Sequence, residues 1–430
     1  MRRRVSAMLR QERGQILMVA VLLVTALLGF LGLIVDAGFA YAQRRQAQNG
    51  ADNAALAATR VLYEGGSESS ARAAALDYAE ANGYPAESVT VHIPPASGEH
   101  VGEPYYAEVT VEEEPATFFV HVLVPGGSSV RGRGVAGVTD FPKPYAVIAL
   151  DPDDCDAFRQ TGTADLTIVG GGVMINSDCA SSALSKTGSG NLFAEGDIDV
   201  VGGSTISGSG VVSPAPRTVP WTTTDPLASI SPPAVGSPSP TSPGTASTPQ
   251  TLRILTPGSY ALQPGTYYGG IEINCSGCTV TLASGVYVMA GGGFTKMGNP
   301  DISGDEVMIY LTDCNGPNDS APCSGDGAAK PAKLAGGGTL ELTPATSGDY
   351  EGITFWQDRK ITDDFSINGD NTLVQGIFYA PGARLDLGGG TSLGTVQLVA
   401  NTIRVSGNAP LSLSYGEFRP FESPEVTLVE

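Results

Sequence analysis

The chain has 430 residues, of which 16% are charged, with 56 glycines, 30 prolines and a net charge of −20. So acidic a chain lacks the basic surface that nucleic-acid binding needs. Sparse charge with abundant Gly, Ser and Thr argues against a helical enzyme and for turn-rich β structure, in two or three domains.

The charge is unevenly placed. Residues 1–13 hold five arginines (Arg2, Arg3, Arg4, Arg10, Arg13) and one glutamate, and residues 14–35 hold no charge. All remaining charge follows, as 19 bases and 43 acids. The run from Gly14 to Val35 is long enough to cross a bilayer, which takes about 20 apolar residues. It has no A-x-A-like cleavage site. Basic residues stay on the cytoplasmic side, so the expected topology is a single span with the N-terminus inside. Residues 1–13 are then cytoplasmic, 14–35 transmembrane and 36–140 an extracytoplasmic first unit. Gly14 and Gln15 mark the inner end of the anchor, Val35 and Asp36 the outer end. The expected location is a cytoplasmic membrane, with the bulk of the chain outside it.

The helical pattern does not stop at the membrane. Ala47, Ala51, Ala54, Ala55 and Ala58 recur at three- and four-residue spacing. They predict a smooth face that packs closely on a partner or on the chain's own following domain. Residues 69–84 predict a second helix, closed near Asn82-Gly83. Three runs of period two, 88–93, 105–112 and 118–124, predict half-buried strands. Residues 94–98, PPASG, supply a turn between the first two.

A second unit begins near residue 141. Short strands such as 144–150, 165–170, 173–177 and 197–202 are separated by Gly, Asn or Ser. Residues 213–250 contain ten prolines and little apolar content, which predicts an extended linker or excursion. Strands resume over 251–420, and 421–430 is read as a tail. Residues 377–389 overlay 398–408 with an offset of twenty, Ala380 on Ala400, Arg384 on Arg404 and Leu385 on Val405. A looser match joins 352–355 to 376–379. A repeat near twenty residues with Gly/Asn corners suits one turn of a right-handed parallel β-helix, each turn burying its inward side chains on the next. A β-sandwich is the competing all-β fold.

Six cysteines all follow the span, and an even count outside the cytoplasm fits disulfides. Sequence neighbours pair them as Cys155–Cys179, Cys275–Cys278 and Cys314–Cys323. The C-x-x-C spacing at 275–278 also fits a redox pair or half a zinc site. It lacks the βαβ context of the first and a second ligand pair for the other. His92, His100 and His121 lie near no nucleophile pattern. Glycine runs at 170–172, 291–293, 336–338 and 388–390 are followed by no Lys-Ser/Thr helix start, and read as corners. Two acidic groups stand out: Asp301, Asp305, Glu306, Asp313, Asp319 and Asp326, then Asp349, Glu351, Asp358, Asp363 and Asp364. Loop carboxylates can bind Ca²⁺, but no EF-hand or RTX-like spacing is present. No cofactor is expected, and Ca²⁺ is the one candidate ion. Asp358 and Arg359 are the one pair to test for activity on polysaccharide. Trp221, Trp356 and Tyr267, Tyr268, Tyr287 and Tyr379 form either core or a glycan-stacking face.

These residues resemble a known family. ERGQ at 12–15, VDAG at 35–38 and the stretch from Arg44-Arg45 to Ala58 resemble the N-terminal segment of TadG-like proteins of the Tad (tight adherence, Flp pilus) system. LDYAEANGY, YYAEVTVEEEPATFFVHVLV and GRGVAGV resemble the rest of the same domain, a small pilin-like α/β unit. GVYVMAGGG, VMIYLT, YEGITFWQDR and GIFYAPGARLDL resemble the glycine-rich β domain that some members carry. The resemblance implies that the membrane is a bacterial cytoplasmic membrane. It also implies a non-catalytic, envelope-anchored component of pilus assembly or surface adhesion, with other Tad/Flp pilus or secretion components as partners. A membrane-anchored glycan-binding module is the alternative, and a polysaccharide-active β-helix enzyme a more distant one. Some TadG-like proteins carry a D-x-S-x-S metal site; the nearest stretch here, 178–182, has Ala180 where its first Ser belongs. Related pilins carry a Glu five residues after a cleavage Gly. Counted from Gly14 that place is Val19, so the span is expected to be retained.

Overall fold

The computed structural model describes residues 2–114, 119, 129–316, 325–369, 372–388, 392–416 and 421–430. They divide into two compact units, residues 1–139 with 424–430, and residues 140–423.

The N-terminal unit is built on one long helix, α1 (Arg2–Tyr63), of 62 residues. At 1.5 Å per residue it is about 93 Å long. Nothing interrupts it: no proline occurs before Pro85, and the low-propensity glycines at 14, 29, 32, 38 and 50 are isolated. A second helix, α2 (Glu68–Ala81), starts at Ser67, whose side chain accepts the Ser70 N–H, and stops at Asn82. Gly83 beyond it has φ +93°, the left-handed turn that closes helices cheaply. Strands β1 (Val89–His92), β2 (Tyr106–Glu113) and β3 (Val130–Lys143) follow. They form an antiparallel meander, with Val91 opposite Val109 and Val109 opposite Gly134. The strand expected at 118–124 lies, apart from Phe119, outside the described residues, as does His121.

The fourth strand of this sheet is Phe421–Leu428, hydrogen-bonded beside β3. The last ten residues are therefore not a free tail. Val429 N–H donates to Val135 O at 2.9 Å, and Val135 N–H to Glu430 O at 3.0 Å. Sequence pattern misses this strand because Pro424 and two glutamates interrupt its alternation.

The larger unit is made of short strands joined into three parallel ladders. In the first ladder the neighbours are, in order, Arg217–Thr218, Ile198–Val200, Gly172–Ile175, Tyr145–Ala149, 396–400, 376–380, Ile353–Gln357, Val307–Thr312, Gly285–Ala290 and Gly265–Tyr268. The second runs from Ser204–Ile206 through Leu184–Lys186, Phe158–Gln160, 402–406, 384–388, Phe365–Gly369, Ala332–Gly336, 294–296 and 271–273 to Leu252–Ile254. The third holds Val212–Ser213, Leu192–Ala194, Leu166–Val169 and Leu411–Ser414 in one run. Thr372–Val374, Leu340–Leu342, 302–304, 280–282 and Gly258–Leu262 form another.

The chain visits the ladders in rotation, and inward positions alternate as strand geometry demands. Phe158, Leu184, Ile273, Phe294, Phe365, Leu385 and Ile403 are all fully buried or within 1% of it. The order is not sequential. The chain enters in the middle at Tyr145, advances to Ser213, and crosses through the proline-rich segment to Leu252 at the opposite end. From there it returns until 398–400 pairs with 147–149 and 411–414 with 166–169. Its first and last turns are neighbours.

The twenty-residue overlay holds before the corner and slips after it. Ala380 does face Ala400, but Arg384 faces Thr402 and Leu385 faces Ile403. The corner Pro381–Ala383 is two residues longer than its counterpart at Asn401, so the aligned arginines are not neighbours. Likewise Phe355 stacks on Phe378, not on Tyr379, because Thr354 is an extra residue in its strand.

Residues 213–250 are packed rather than free. Val219 and Leu227 are 1% exposed and share a core with Tyr145, Met174, Tyr310, Trp356 and Tyr379 on the outer side of the first ladder. The segment is a strap along that ladder.

Candidate functional site

In α1 the side chains from Leu17 to Val35 are almost all exposed, including Leu22, Leu28 and Phe30. Exposed apolar surface on this scale marks contact with a membrane or partner. The 22 uncharged residues make a cylinder of about 33 Å, close to the roughly 30 Å of a bilayer's hydrocarbon core. Gly14 and Gln15 lie in the helix at the N-terminal end of this run. Val35 is exposed at its C-terminal end, while Asp36 is only 2% exposed. A buried carboxylate needs donors, and Phe119 N–H donates to Asp36 Oδ2 at 2.7 Å. One turn earlier, a Cβ at Gly32 would overlap the Phe119 ring. The loop residue thus sits against the helix where the apolar run ends.

Further along, α1 becomes core. Ala47, Ala51, Ala54, Ala55 and Ala58 have no exposed surface and pack with Ala71, Ala75 and Ala79 of α2 and Val109 and Val111 of β2. The small-residue face is occupied by the chain's own sheet. The approach is close because β3 has glycines where it crosses. A Cβ at Gly132 would overlap the Ala47 backbone, and one at Gly134 would lie 2.8 Å from Asp52 Cα. Gln48 then bonds the strand like a neighbouring backbone: its Oε1 accepts Arg133 N–H at 3.2 Å, and its Nε2 donates to Arg133 O at 2.5 Å. Thr59 Oγ1 donates to Ala136 O at 3.0 Å. Burial raises the pKa of Asp52, opposed by its hydrogen bond from Gln48.

A charged knot on the two central strands ties the sheet to the 96–99 loop and to Glu430. Glu108 is 2% exposed and accepts from Ala96 N–H, Ser97 N–H and Oγ, and Arg133 Nε. Burial opposes its charge, but these donors prevail and hold the carboxyl down at about 2. Arg133 also pairs with Glu430, which accepts Glu99 N–H at 2.8 Å.

The polar candidates of the larger unit are structural in placement. Asp358 is 7% exposed and accepts from Tyr310 OH at 2.6 Å and Lys360 N–H at 2.9 Å. Arg359 reaches out to Asp225 of the strap, which also accepts from Tyr379 OH at 2.7 Å. Burial, with the carboxylate beside each, raises the pKa of Tyr310 and Tyr379. The acids of the first cluster stitch neighbouring strands. Asp301 accepts from Thr339 N–H and Oγ1 at 3.0 Å, Asp305 from Thr343, and Asp326 from Thr251 N–H. Asp319 lies outside the described residues. In the second cluster Asp364 pairs with Arg384.

Trp356, Tyr267, Tyr268, Tyr287 and Tyr379 are at most 6% exposed. They are core, so no glycan-stacking face is formed from them. His100 stacks on Tyr106 with ring centroids 4.5 Å apart, and His92 ends β1. Gly291, Gly292 and Gly293 all have positive φ at a corner, where a Cβ on Gly292 would strike the Gly269 carbonyl. Cys155–Cys179 bridges consecutive turns, and Cys275–Cys278 closes the irregularity between Ser276 and Thr279. Cys314 is not a free thiol; its expected partner Cys323 lies outside the described residues.

These features define a class: one N-terminal apolar helix long enough to cross a membrane, continuous with a small α/β unit and followed by a large unit of parallel sheets. Residues 14–77 match the Tad family model, described as Flp pilus-assembly, TadE/G-like. The matched segment covers the apolar run, Asp36 and the alanine face. Among solved structures, the chain is similar to the competence-associated pilin ComZ from Thermus thermophilus, with 11% identity over 80% of this chain and 89% of that one, at a TM-score of 0.31. A score this low identifies no common fold. No curated protein matches the chain.

Proposed function

We propose that the chain is a non-catalytic, membrane-anchored component of a Tad/Flp pilus assembly or adhesion system, with its N-terminus in the cytoplasm and both units outside. The observation that carries this is the exposed apolar run of α1, matched to the TadE/G-like family and continuous with a helix whose next turns are core. An anchor built into the fold in this way is a retained span, in keeping with Val19 in place of a processing glutamate. The five arginines before Gly14 support the inward N-terminus.

The larger unit reads as a three-faced, right-handed parallel β-helix. Its all-parallel ladders, visited in rotation, support that reading over a sandwich, whose sheets are antiparallel. Right-handed crossover between parallel strands is the rule. In this reading the unit is a rigid outward stalk or adhesive surface. The burial of Asp358 against Tyr310, and the pairing of Arg359 with Asp225 of the strap, support a role without catalysis.

The test replaces residues 144–420 by a short Gly/Ser linker, which keeps all four strands of the N-terminal sheet. Pili retained with surface attachment lost supports the adhesive stalk, and pili lost assigns the unit to assembly. Unchanged pili and attachment refute the proposal. Protease added to spheroplasts should digest the chain beyond Asp36 and leave residues 1–35 protected.

A further inference from the structure

The two ends of the larger unit are closed differently. At the Leu252 end, the inward residues Ile254 and Leu262 are 2% and 4% exposed although their strands are outermost. At the other end, Ser204–Ile206 aligns with Leu184–Lys186, which places Ile206 over the fully buried Lys186 on the inward side. Yet Ile206 is 45% exposed, and Val212, aligned with the fully buried Leu192, is only partly buried. Among the described residues, Ser204–Ile206 pairs only with 184–186, and Val212–Ser213 only with 192–193. Their outer N–H and C=O groups face no further strand. Proteins blunt such edges with charge, proline or bulges. Residues 201–213, which hold both of these edge strands, contain no charged residue and no proline; such residues enter only beyond them, as Pro214, Pro216 and Arg217.

This end is also stepped. The first ladder continues one strand further, through Arg217–Thr218 on Asp199–Val200. At the opposite end the strap again covers the first ladder, where Pro238 bridges Thr266. Head-to-tail stacking would therefore set two extra strands against each other on the first ladder, and hold the second and third apart. A two-fold operation across the third ladder avoids this. It sets Val212–Ser213 against its own copy, and the protruding Arg217–Thr218 against the recessed Ser204–Ile206 of the second chain. Strands far apart in sequence already dock at a coil edge internally, where 398–400 and 411–414 pair with 147–149 and 166–169, there in parallel. The two-fold union differs in being antiparallel.

We propose that the 204–218 end is a homodimer interface, joining two copies of this chain end to end by antiparallel strand pairing around Ile206. Two-fold dimers are the commonest closed assemblies, and each copy offers the same surface. The inference rests on the coil reading of the larger unit.

The experiment uses the full chain in lipid nanodiscs, with a photo-crosslinking amino acid at position 206 and mixed isotope labels to mark intermolecular products. Cross-links from 206 into 204–218 of the second copy are expected. Thr205→Lys places charge on the outward side of the edge strand and leaves the inward side intact. It should weaken dimerisation by about tenfold or more. Ile206→Lys should abolish it. Cross-links from 206 to 251–262 would mean head-to-tail stacking and overturn the two-fold model. Only cross-links to another protein would overturn the choice of a second copy. A chain that stays monomeric with native tryptophan emission and intact disulfides overturns the dimer and leaves the coil reading standing.

Discussion

The crossing of β3 over α1 leads to a sharp expectation for Gly134→Ala. The added Cβ would lie 2.8 Å from both Cα and N of Asp52. Carbon atoms in good contact sit about 3.5–4.0 Å apart, so strand and helix must separate by roughly 0.7 Å or more. Neither side can yield by rotating a side chain, since both are backbone. Separation would loosen the alanine packing and lengthen the paired bonds of Gln48 to Arg133, so the cost should be about 1–3 kcal/mol. Both tryptophans, Trp221 and Trp356, lie in the larger unit, and their emission serves as an internal control. Hydrogen exchange of peptides covering 47–58 and 130–137 reads the N-terminal unit directly. Those amides should exchange about 5- to 150-fold faster in the variant, with tryptophan emission unchanged. Gly38→Ala, where a Cβ meets nothing within 4 Å, should leave exchange unchanged or slow it by helix propensity. If Gly134→Ala exchanges like the native chain, the close-approach argument is wrong.

Other expectations address the ion pairs, the strap and the disulfides. Glu108 has its carboxyl lowered to about 2 from an ordinary 4.5, so its stabilisation is complete above pH 4.5 and fades as pH falls toward 2. It amounts to at most about 3 kcal/mol. Protection of the 96–97 amides should fall over that window and become pH-independent in Glu108→Gln; an unchanged profile counts against the network. Asp225→Ala leaves the buried Tyr379 hydroxyl without its carboxylate, at about 1–3 kcal/mol. The expected signs are red-shifted tryptophan emission and faster proteolysis within 219–235, and neither would appear if the strap were held by apolar contacts alone. Removing Cys155–Cys179, which spans 24 residues, should cost the larger unit about 3.5 kcal/mol, measured by urea unfolding followed through tryptophan. A loss below about 1 kcal/mol would show that packing already constrains that loop.

Much of this architecture is legible in the chain because it depends on neighbours in sequence. The uncharged run and the alanine spacing give α1 and its buried face, and two-residue alternation gives β1 and β2. What was hidden depends on residues far apart. Nothing near Asp225 announces Arg359 or Tyr379, which lie 134 and 154 residues away, so a proline-rich strap reads as a linker. Strand β3 is masked by glycines that are there for the helix. Arg384 and Arg404 align in a twenty-residue overlay but are out of step in space, because corner length is invisible to side-chain pattern. Trp356 and Tyr379 suggest a ligand face by type, yet the strap covers the side of the ladder on which they stand.

The meeting of the first and last turns constrains how the protein is made. Val147 waits for Leu398, roughly 250 residues later in synthesis, and β3 waits for a strand that ends at Leu428. A product that stops early leaves Tyr145–Val169 bare on one side and the N-terminal sheet a strand short. Both units thus become complete only with the final segment of the chain. Synthesis of the whole polypeptide is in this way a precondition of the complete fold, and an interrupted product presents unfinished edges to proteases.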